Sequence, residues 1–151
     1  MAKADSTDKP GRLAIQIALV FVAALALYLA AYSGIEHRRV RKGPWEVTFT
    51  NDASGAPMIS IFQPRLGLTN VQIVFPGATQ SGSNAATTLA FAQPRPVPFD
   101  VPFGKCIFMD TTFLPGTIVF DMFGHEVQLI PRVLTIDKQE RPWQSGAVIT
   151  L

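Results

Sequence analysis

The pattern of hydrophobic and polar positions changes once along the chain, near residue 43. Residues 13–35, LAIQIALVFVAALALYLAAYSGI, form a run of 23 positions without a charged side chain. As an α-helix this run is about 35 Å long, and a bilayer core is about 30 Å thick. The pattern predicts a transmembrane helix over residues 12–35, preceded by a disordered polar tail at residues 1–11.

From Trp45 onward the hydrophobic period is two. Trp45, Val47 and Phe49 alternate with polar residues, which is typical of a half-buried strand. Pro- and Gly-bearing turns separate further strand candidates at 58–62, 71–75, 87–92, 105–110, 116–122, 127–130, 132–136 and 146–151. No segment after residue 43 follows a helical period. The sequence therefore predicts an all-β, soluble domain over residues 44–151, either an antiparallel β-sandwich or a small barrel.

Two features organise the domain further. Residues 93–104 contain four prolines between Pro94 and Pro102, so this connection cannot lie centrally in a sheet. The tripeptides Gly-Pro-Trp at 43–45 and Arg-Pro-Trp at 141–143 bracket the domain. This echo suggests that the two ends of the domain lie near each other.

The charge is divided between two regions. Residues 1–42 carry seven Lys/Arg against three acidic residues, whereas residues 43–151 carry six against eight. The excess of basic residues therefore belongs to the flanks of the apolar run and gives no reason to expect nucleic-acid binding. A basic juxtamembrane collar is predicted at residues 36–43, where four side chains would meet lipid phosphates: Arg38, Arg39, Arg41 and Lys42.

Sidedness rests on a near-equal count of cations. Three Lys/Arg precede the apolar run and four follow it closely. We expect a signal-anchor in the cell (inner) membrane, with the β-domain outside the cytoplasm, because a short basic tail is retained inside. The alternative is a cleaved signal peptide, since Ala-Tyr-Ser at 31–33 fits a small-x-small site. The apolar run is, however, longer than the usual 7 to 15 residue signal core.

Residues that could carry chemistry are few. Cys106 is the only cysteine, which excludes an internal disulfide, and its apolar neighbours indicate a buried thiol. A metal site would have to use Asp121, His125 and Glu126, but neighbours in a strand point to opposite faces. Serines lack a G-x-S-x-G turn. We expect no catalytic, metal or cofactor site, and no enzyme activity.

Two sets of residues could contact a partner. Aromatic side chains beside proline suit a protein-binding surface, although loop aromatics also anchor a loop to its core. The residues concerned are Phe99, Phe103 and Phe113. Small residues spaced four apart let helices pack closely in a membrane. They are Ala14, Ala18, Ala26, Ala30 and Gly34.

Together these features predict a single-pass membrane protein whose β-domain is an accessory, assembly or interaction subunit of a membrane complex. Its expected partners are membrane lipid and either another membrane protein or a second copy of the chain. The alternative is a membrane-tethered binding domain for a small ligand, peptide or glycan, with a pocket near residues 94–104.

Overall fold

The computed structural model describes residues 9–78 and 85–151. Residues 1–8 of the predicted tail and residues 79–84, between the strand candidates at 71–75 and 87–92, lie outside the described residues. The chain divides into two compact units, Met1–Arg38 and Arg39–Leu151. The first unit contains the long apolar run, whereas the second alternates in hydrophobicity.

The first unit contains one long helix, α1, at Lys9–Val40. Its segment Gly11–Val40 is long and apolar enough to cross a membrane, and none of it is buried against other residues. The helix continues through Arg38 and Arg39 and ends after Val40. There the Gly43 N–H donates to the Val40 carbonyl, and Gly43 has a positive φ of 78°. A left-handed glycine followed by proline stops a helix, because proline offers no N–H.

The described part of the second unit contains eleven strands in two sheets. The five-stranded sheet has the order β11-β3-β2-β1-β4, and the six-stranded sheet has the order β10-β9-β8-β7-β6-β5. Neighbours are antiparallel except β11, which is parallel to β3. The strands are β1 (Glu46–Asn51), β2 (Pro57–Gln63), β3 (Leu68–Val74), β4 (Thr87–Ala90), β5 (Phe99–Val101), β6 (Gly104–Asp110), β7 (Thr117–Met122), β8 (His125–Ile130), β9 (Val133–Ile136), β10 (Gln139–Arg141) and β11 (Val148–Thr150).

One hydrophobic core lies between the two sheets. Alternate residues of the central strands are buried, as Val47 and Phe49 are in β1 and Ile118 and Phe120 are in β7. This alternation follows from the period of two, which directs every second side chain toward the facing sheet. In the described residues neither sheet closes into a barrel. The predicted all-β fold preceded by an apolar helix is confirmed, and of its two alternatives the sandwich describes it.

The sandwich has two distinct ends. Neighbouring antiparallel strands run in opposite directions, so the turns that connect them lie at one end or the other. At one end β1 begins, β2 ends and β3 begins; β6, β8 and β10 also end there. We call it the Arg39 end, since Arg39 contacts its 111–114 turn. The opposite end is called the Phe75 end, where the rings of Phe75 and Phe123 lie 5.2 Å apart.

Two elements were not predicted as such. The short strand β10 contains only exposed polar residues, Gln-Glu-Arg, and therefore carries no hydrophobic period. The strand β5 lies within the Pro-rich connection, and it forms the edge of its sheet, as the prolines require.

Candidate functional site

Arg39 is the first residue of the β unit and is joined to the turn between β6 and β7. Its carbonyl accepts a hydrogen bond from the Leu114 N–H at 2.7 Å, and its Nη1 donates to the carbonyl of Thr111 at 3.3 Å. Thr111 and Leu114 are both buried. These bonds attach the 111–114 turn to the point where the β unit begins.

The same turn has a fixed shape. The Asp110 carboxylate accepts a hydrogen bond from the Thr112 N–H at 2.9 Å, which lowers the pKa of Asp110. Gly116 has a φ of 71°, and a Cβ at this position would collide with the Asp110 carbonyl oxygen. Both features hold the turn in one conformation and place its middle residues at the surface.

Two tryptophans meet at the Arg39 end. The rings of Trp45 and Trp143 have centroids 5.2 Å apart, and Trp45 is fully buried. The Trp45 Nε1 donates to the Gly116 carbonyl at 2.9 Å, and the Trp143 Nε1 donates to the Ile130 carbonyl at 2.8 Å. The expectation that the two tryptophan-bearing ends of the domain lie together is therefore confirmed.

Sequence reasoning missed Gln63, which is 1% exposed at the end of β2. Its Nε2 donates to the carbonyls of Gly43 and Pro44 at 3.0 and 2.7 Å, and its Oε1 accepts from the Arg65 N–H. In the sequence, a glutamine between a strand and a proline looks the same as an exposed polar residue at the end of any strand. Nothing in the pattern indicated that this amide is buried.

The predicted collar residues differ in their surroundings. Arg38 belongs to the helical unit, whereas Arg39 belongs to the β unit and is half-buried. Arg41 and Lys42 are exposed beyond the end of the helix. Their contact with lipid phosphates stays a prediction.

Charge is distributed unevenly between the two ends of the sandwich. At the Arg39 end, after residue 43, three exposed arginines accompany the carboxylates of Glu46 and Asp110, and Glu140 precedes Arg141 in the middle of β10. Arg65 is in the turn after β2, Arg132 is between β8 and β9, and Arg141 ends β10. The Arg95 guanidinium lies over the ring of Phe99 in β5 and is not counted at either end.

The Phe75 end has the opposite balance. Its two lysines, Lys105 and Lys138, lie among five carboxylates. These are Asp52, Asp100, Asp121, Glu126 and Asp137. The sandwich is therefore arginine-rich at one end and acidic at the other, a property that no stretch of the sequence displays.

The three predicted contact aromatics do not form one surface. Phe103 lies in the β5–β6 turn at the Phe75 end, and its ring packs edge-on against Phe49 at 5.7 Å. Phe99 is half-buried, with the Arg95 guanidinium 4.3 Å above its ring. Phe113 is different, because it is 59% exposed on the 111–114 turn at the Arg39 end. A role in binding stays a prediction for each of them.

His125 is paired within the Phe75 end. Its Nδ1 lies 2.7 Å from the Asp137 carboxylate, whose other oxygen accepts the Glu126 N–H at 2.9 Å. The bond with His125 is the main cause of a lowered pKa at Asp137. Asp121 pairs with Glu126 across neighbouring strands. Among the residues described, no group of three potential ligands is placed to hold a metal ion.

Cys106 is fully buried in β6. Burial raises the pKa of its thiol to about 11, and the Sγ donates to the Phe108 carbonyl at 3.4 Å. At neutral pH the thiol is protonated and is a poor nucleophile.

A cleft of about 440 Å3 opens beside the Pro-rich connection. Its lining consists of Arg39, Pro94, Phe108, Met109, Asp110, Thr111 and Thr112. Phe108 is 49% exposed. The β-bulge between Cys106 and Phe108 shifts the pairing register of β6 with β7, and such shifts redirect side chains.

The small residues of α1 are exposed, together with the rest of the apolar run. Each step of four residues turns an α-helix by about 40°, so the row from Ala14 to Gly34 winds about 200° around it. Ala26, Ala30 and Gly34 span about 80° and share one face. The stacked rings of Tyr28 and Tyr32, 6.4 Å apart, project on the opposite side.

Comparison of the chain with protein-family models, with curated proteins and with solved structures finds no match. The charge, exposure and hydrogen bonding of the Arg39 end therefore carry the functional argument.

Proposed function

We propose that the chain is a single-pass membrane protein whose β unit works at the membrane surface, as an accessory, assembly or interaction subunit of a membrane complex. One observation carries this proposal. Only three residues separate Ile35, the last residue of the apolar run, from Arg39, the first of the β unit. Four steps between Cα atoms cover at most about 15 Å. In any orientation, the β unit then begins close to the bilayer.

Retention of the helix is part of the proposal. The apolar run exceeds the signal-peptide core in length, and the helix containing it continues to Val40. Alkaline carbonate washing of membranes tests retention, because it releases peripheral proteins and leaves spanning helices in place. We expect the intact 16.4 kDa chain in the pellet. A washed-off product that begins at Gly34 would contradict the anchor.

We further propose that the helix lies in the cell membrane and that the β unit is outside the cytoplasm, since the short basic tail is the part expected to stay inside. Ala53→Cys tests this, as Ala53 is exposed in the turn between β1 and β2. A membrane-impermeant maleimide should label intact cells that carry this variant. Labelling only after lysis would place the domain in the cytoplasm.

The subunit proposal is supported by the exposed apolar helix. Purification in a mild detergent tests it. We expect a second membrane protein, or a second copy of the chain, to remain associated. A bare monomer with nothing bound would contradict the subunit role while leaving the anchor intact.

The cleft beside the Pro-rich connection favours a second candidate, a membrane-tethered binding domain for a small ligand, peptide or glycan. Apolar side chains of Pro94, Phe108 and Met109 line it together with polar groups. Screening the full chain in detergent against glycan and peptide libraries tests this candidate. Binding should weaken in Met109→Trp, which would fill the cleft, and should persist in Val148→Trp, a change on an exposed residue of β11.

A further inference from the structure

We propose that the Arg39 end of the β unit is a lipid-binding surface. On it, the arginines contact the anionic headgroups of the membrane that holds α1, and the Phe113 ring enters the boundary between headgroups and acyl chains. This inference rests on the proposed anchoring by α1 and adds the partner and the orientation of the domain.

The first support is the sign and position of charge. Arg65, Arg132 and Arg141 come from three different turns or strand ends, yet strand direction brings them to one end. Arg41 and Lys42 are exposed and lie in the segment that leads into β1, which begins at that same end. Arginine presents a planar fork of donors that matches phosphate oxygens.

The second support is the acidic character of the other end. Lys105 and Lys138 are outnumbered there by five carboxylates. A domain with such a charge distribution is oriented by a negative surface, which attracts the arginine-rich end and repels the acidic one. A uniformly basic domain would adhere without a preferred orientation, so the asymmetry itself supports a planar anionic partner.

The third support is Phe113. Its ring is 59% exposed although its turn is pinned by the Arg39 carbonyl, by the Asp110 carboxylate and by the left-handed Gly116. An exposed aromatic ring on a rigid turn that contacts Arg39 suits the interface, where an apolar body is buried among charged headgroups.

The fourth support is reach. The Leu114 N–H is bonded to the Arg39 carbonyl, and Arg39 is four positions from the end of the apolar run. The chain therefore confines this turn to the neighbourhood of the bilayer, whichever way the domain is rotated. Confinement raises the effective concentration of headgroups around the turn, so weak contacts suffice.

Lipid-depth quenching in the full chain tests the inference. Phe113→Cys carries an environment-sensitive fluorophore, and Ala53→Cys carries the same label at the opposite end. Because Cys106 is buried and its thiol is protonated, the label should react only with the introduced cysteine. The proteins are placed in phosphatidylcholine vesicles, with or without about 30 mol% phosphatidylglycerol, that contain nitroxide-labelled lipid.

We expect quenching at position 113 to be at least about threefold stronger than at position 53 in the anionic vesicles, and to fall in 1 M salt. Replacing Arg65, Arg132 and Arg141 by Gln should reduce it by about half or more, whereas the matched replacement of Lys105 and Lys138 by Gln should not. The double variant Thr112→Cys/Phe113→Ser, labelled at position 112, should also lose the quenching.

The outcomes separate this inference from the proposed function. Equal quenching at positions 113 and 53 in protein that floats with the vesicles would overturn the lipid-binding surface and leave the anchor standing. Protein that does not float would overturn the anchor. Shielding of position 113 only when a co-purified protein is present would also overturn the inference, because that result assigns the surface to a protein partner.

Discussion

Trp45 and Trp143 stack with ring centroids 5.2 Å apart and planes tilted by 33°, although 98 positions separate them in the chain. Trp45 precedes the first strand and Trp143 follows β10. The Trp45 indole N–H donates to the carbonyl of Gly116, just before β7, and the Trp143 indole N–H donates to that of Ile130, the last residue of β8. The pair therefore holds the start of the domain against the segment that follows β10, at the Arg39 end.

Substituting these rings should destabilise the domain unequally. Trp45→Phe leaves the Gly116 carbonyl without its buried donor and should lower the free energy of unfolding by about 2–3 kcal/mol. Trp143→Phe should cost about 1 kcal/mol, because Trp143 is only half-buried. Urea unfolding of the full chain in detergent, followed by circular dichroism, measures both. The double variant should show a coupling of about 0.5–1.5 kcal/mol, and strict additivity would contradict the contact.

The turn that carries Phe113 depends on Gly116. Gly116→Ala should destabilise the domain by more than about 2 kcal/mol, because the residue has a positive φ and its Cβ would meet the Asp110 carbonyl oxygen. Gly55→Ala is the matched control, since Gly55 has a φ of 87° with open space around it. The control should cost about 1 kcal/mol. Equal unfolding midpoints for the two variants would show that the collision is relieved.

The thiol of Cys106 should be inert in the folded protein. A pKa of about 11, roughly two units above an ordinary thiol, reduces the thiolate at pH 7 by about 100-fold, and full burial blocks access as well. Mass spectrometry after maleimide treatment should show an unmodified chain in buffer and one adduct in denaturant. Rapid labelling in buffer at a rate independent of denaturant would contradict the buried position.

Acid should weaken the Phe75 end through Asp137. The His125 hydrogen bond lowers the pKa of Asp137 in the folded state, so its stabilising contribution is present above the unfolded-state pKa of about 4. That contribution is lost as the pH falls through the lowered folded-state pKa. Thermal unfolding between pH 6 and pH 2 should therefore show a smaller acid-induced loss in Asp137→Asn. An acid-induced loss in Asp137→Asn equal to that of the wild type would contradict this role of the hydrogen bond.

Strand positions could be predicted because each central strand has one buried face. In β1, Val47 and Phe49 are buried while Glu46 and Thr48 are not, and the pattern in the sequence is the same. The strand β10 was not predicted because all three of its residues are exposed. It pairs with β9 but shows no alternation of hydrophobic and polar residues. Burial, rather than strand geometry itself, produces the sequence signal.

The charge asymmetry could not be read from the sequence for a different reason. Arg65 and Arg132 are 67 positions apart, and only strand direction and turn placement bring them to one end. Gln63 was missed similarly, because its partners, the carbonyls of Gly43 and Pro44, are twenty and nineteen positions away. Local periodicity predicted the elements, whereas the candidate surface depends on how distant turns assemble.

Packing of α1 against another helix should depend on one face. Ala26→Leu widens the face shared with Ala30 and Gly34, and it should reduce association with a second membrane helix by about tenfold if that face is in contact. Ala24→Leu adds the same side chain about 160° away around the helix and is the matched control. Cross-linking in native membranes, followed by sizing in mild detergent, measures the associated fraction. An equal loss in both variants would indicate an effect of bulk alone, and no loss in either would remove the small-residue row from the interface.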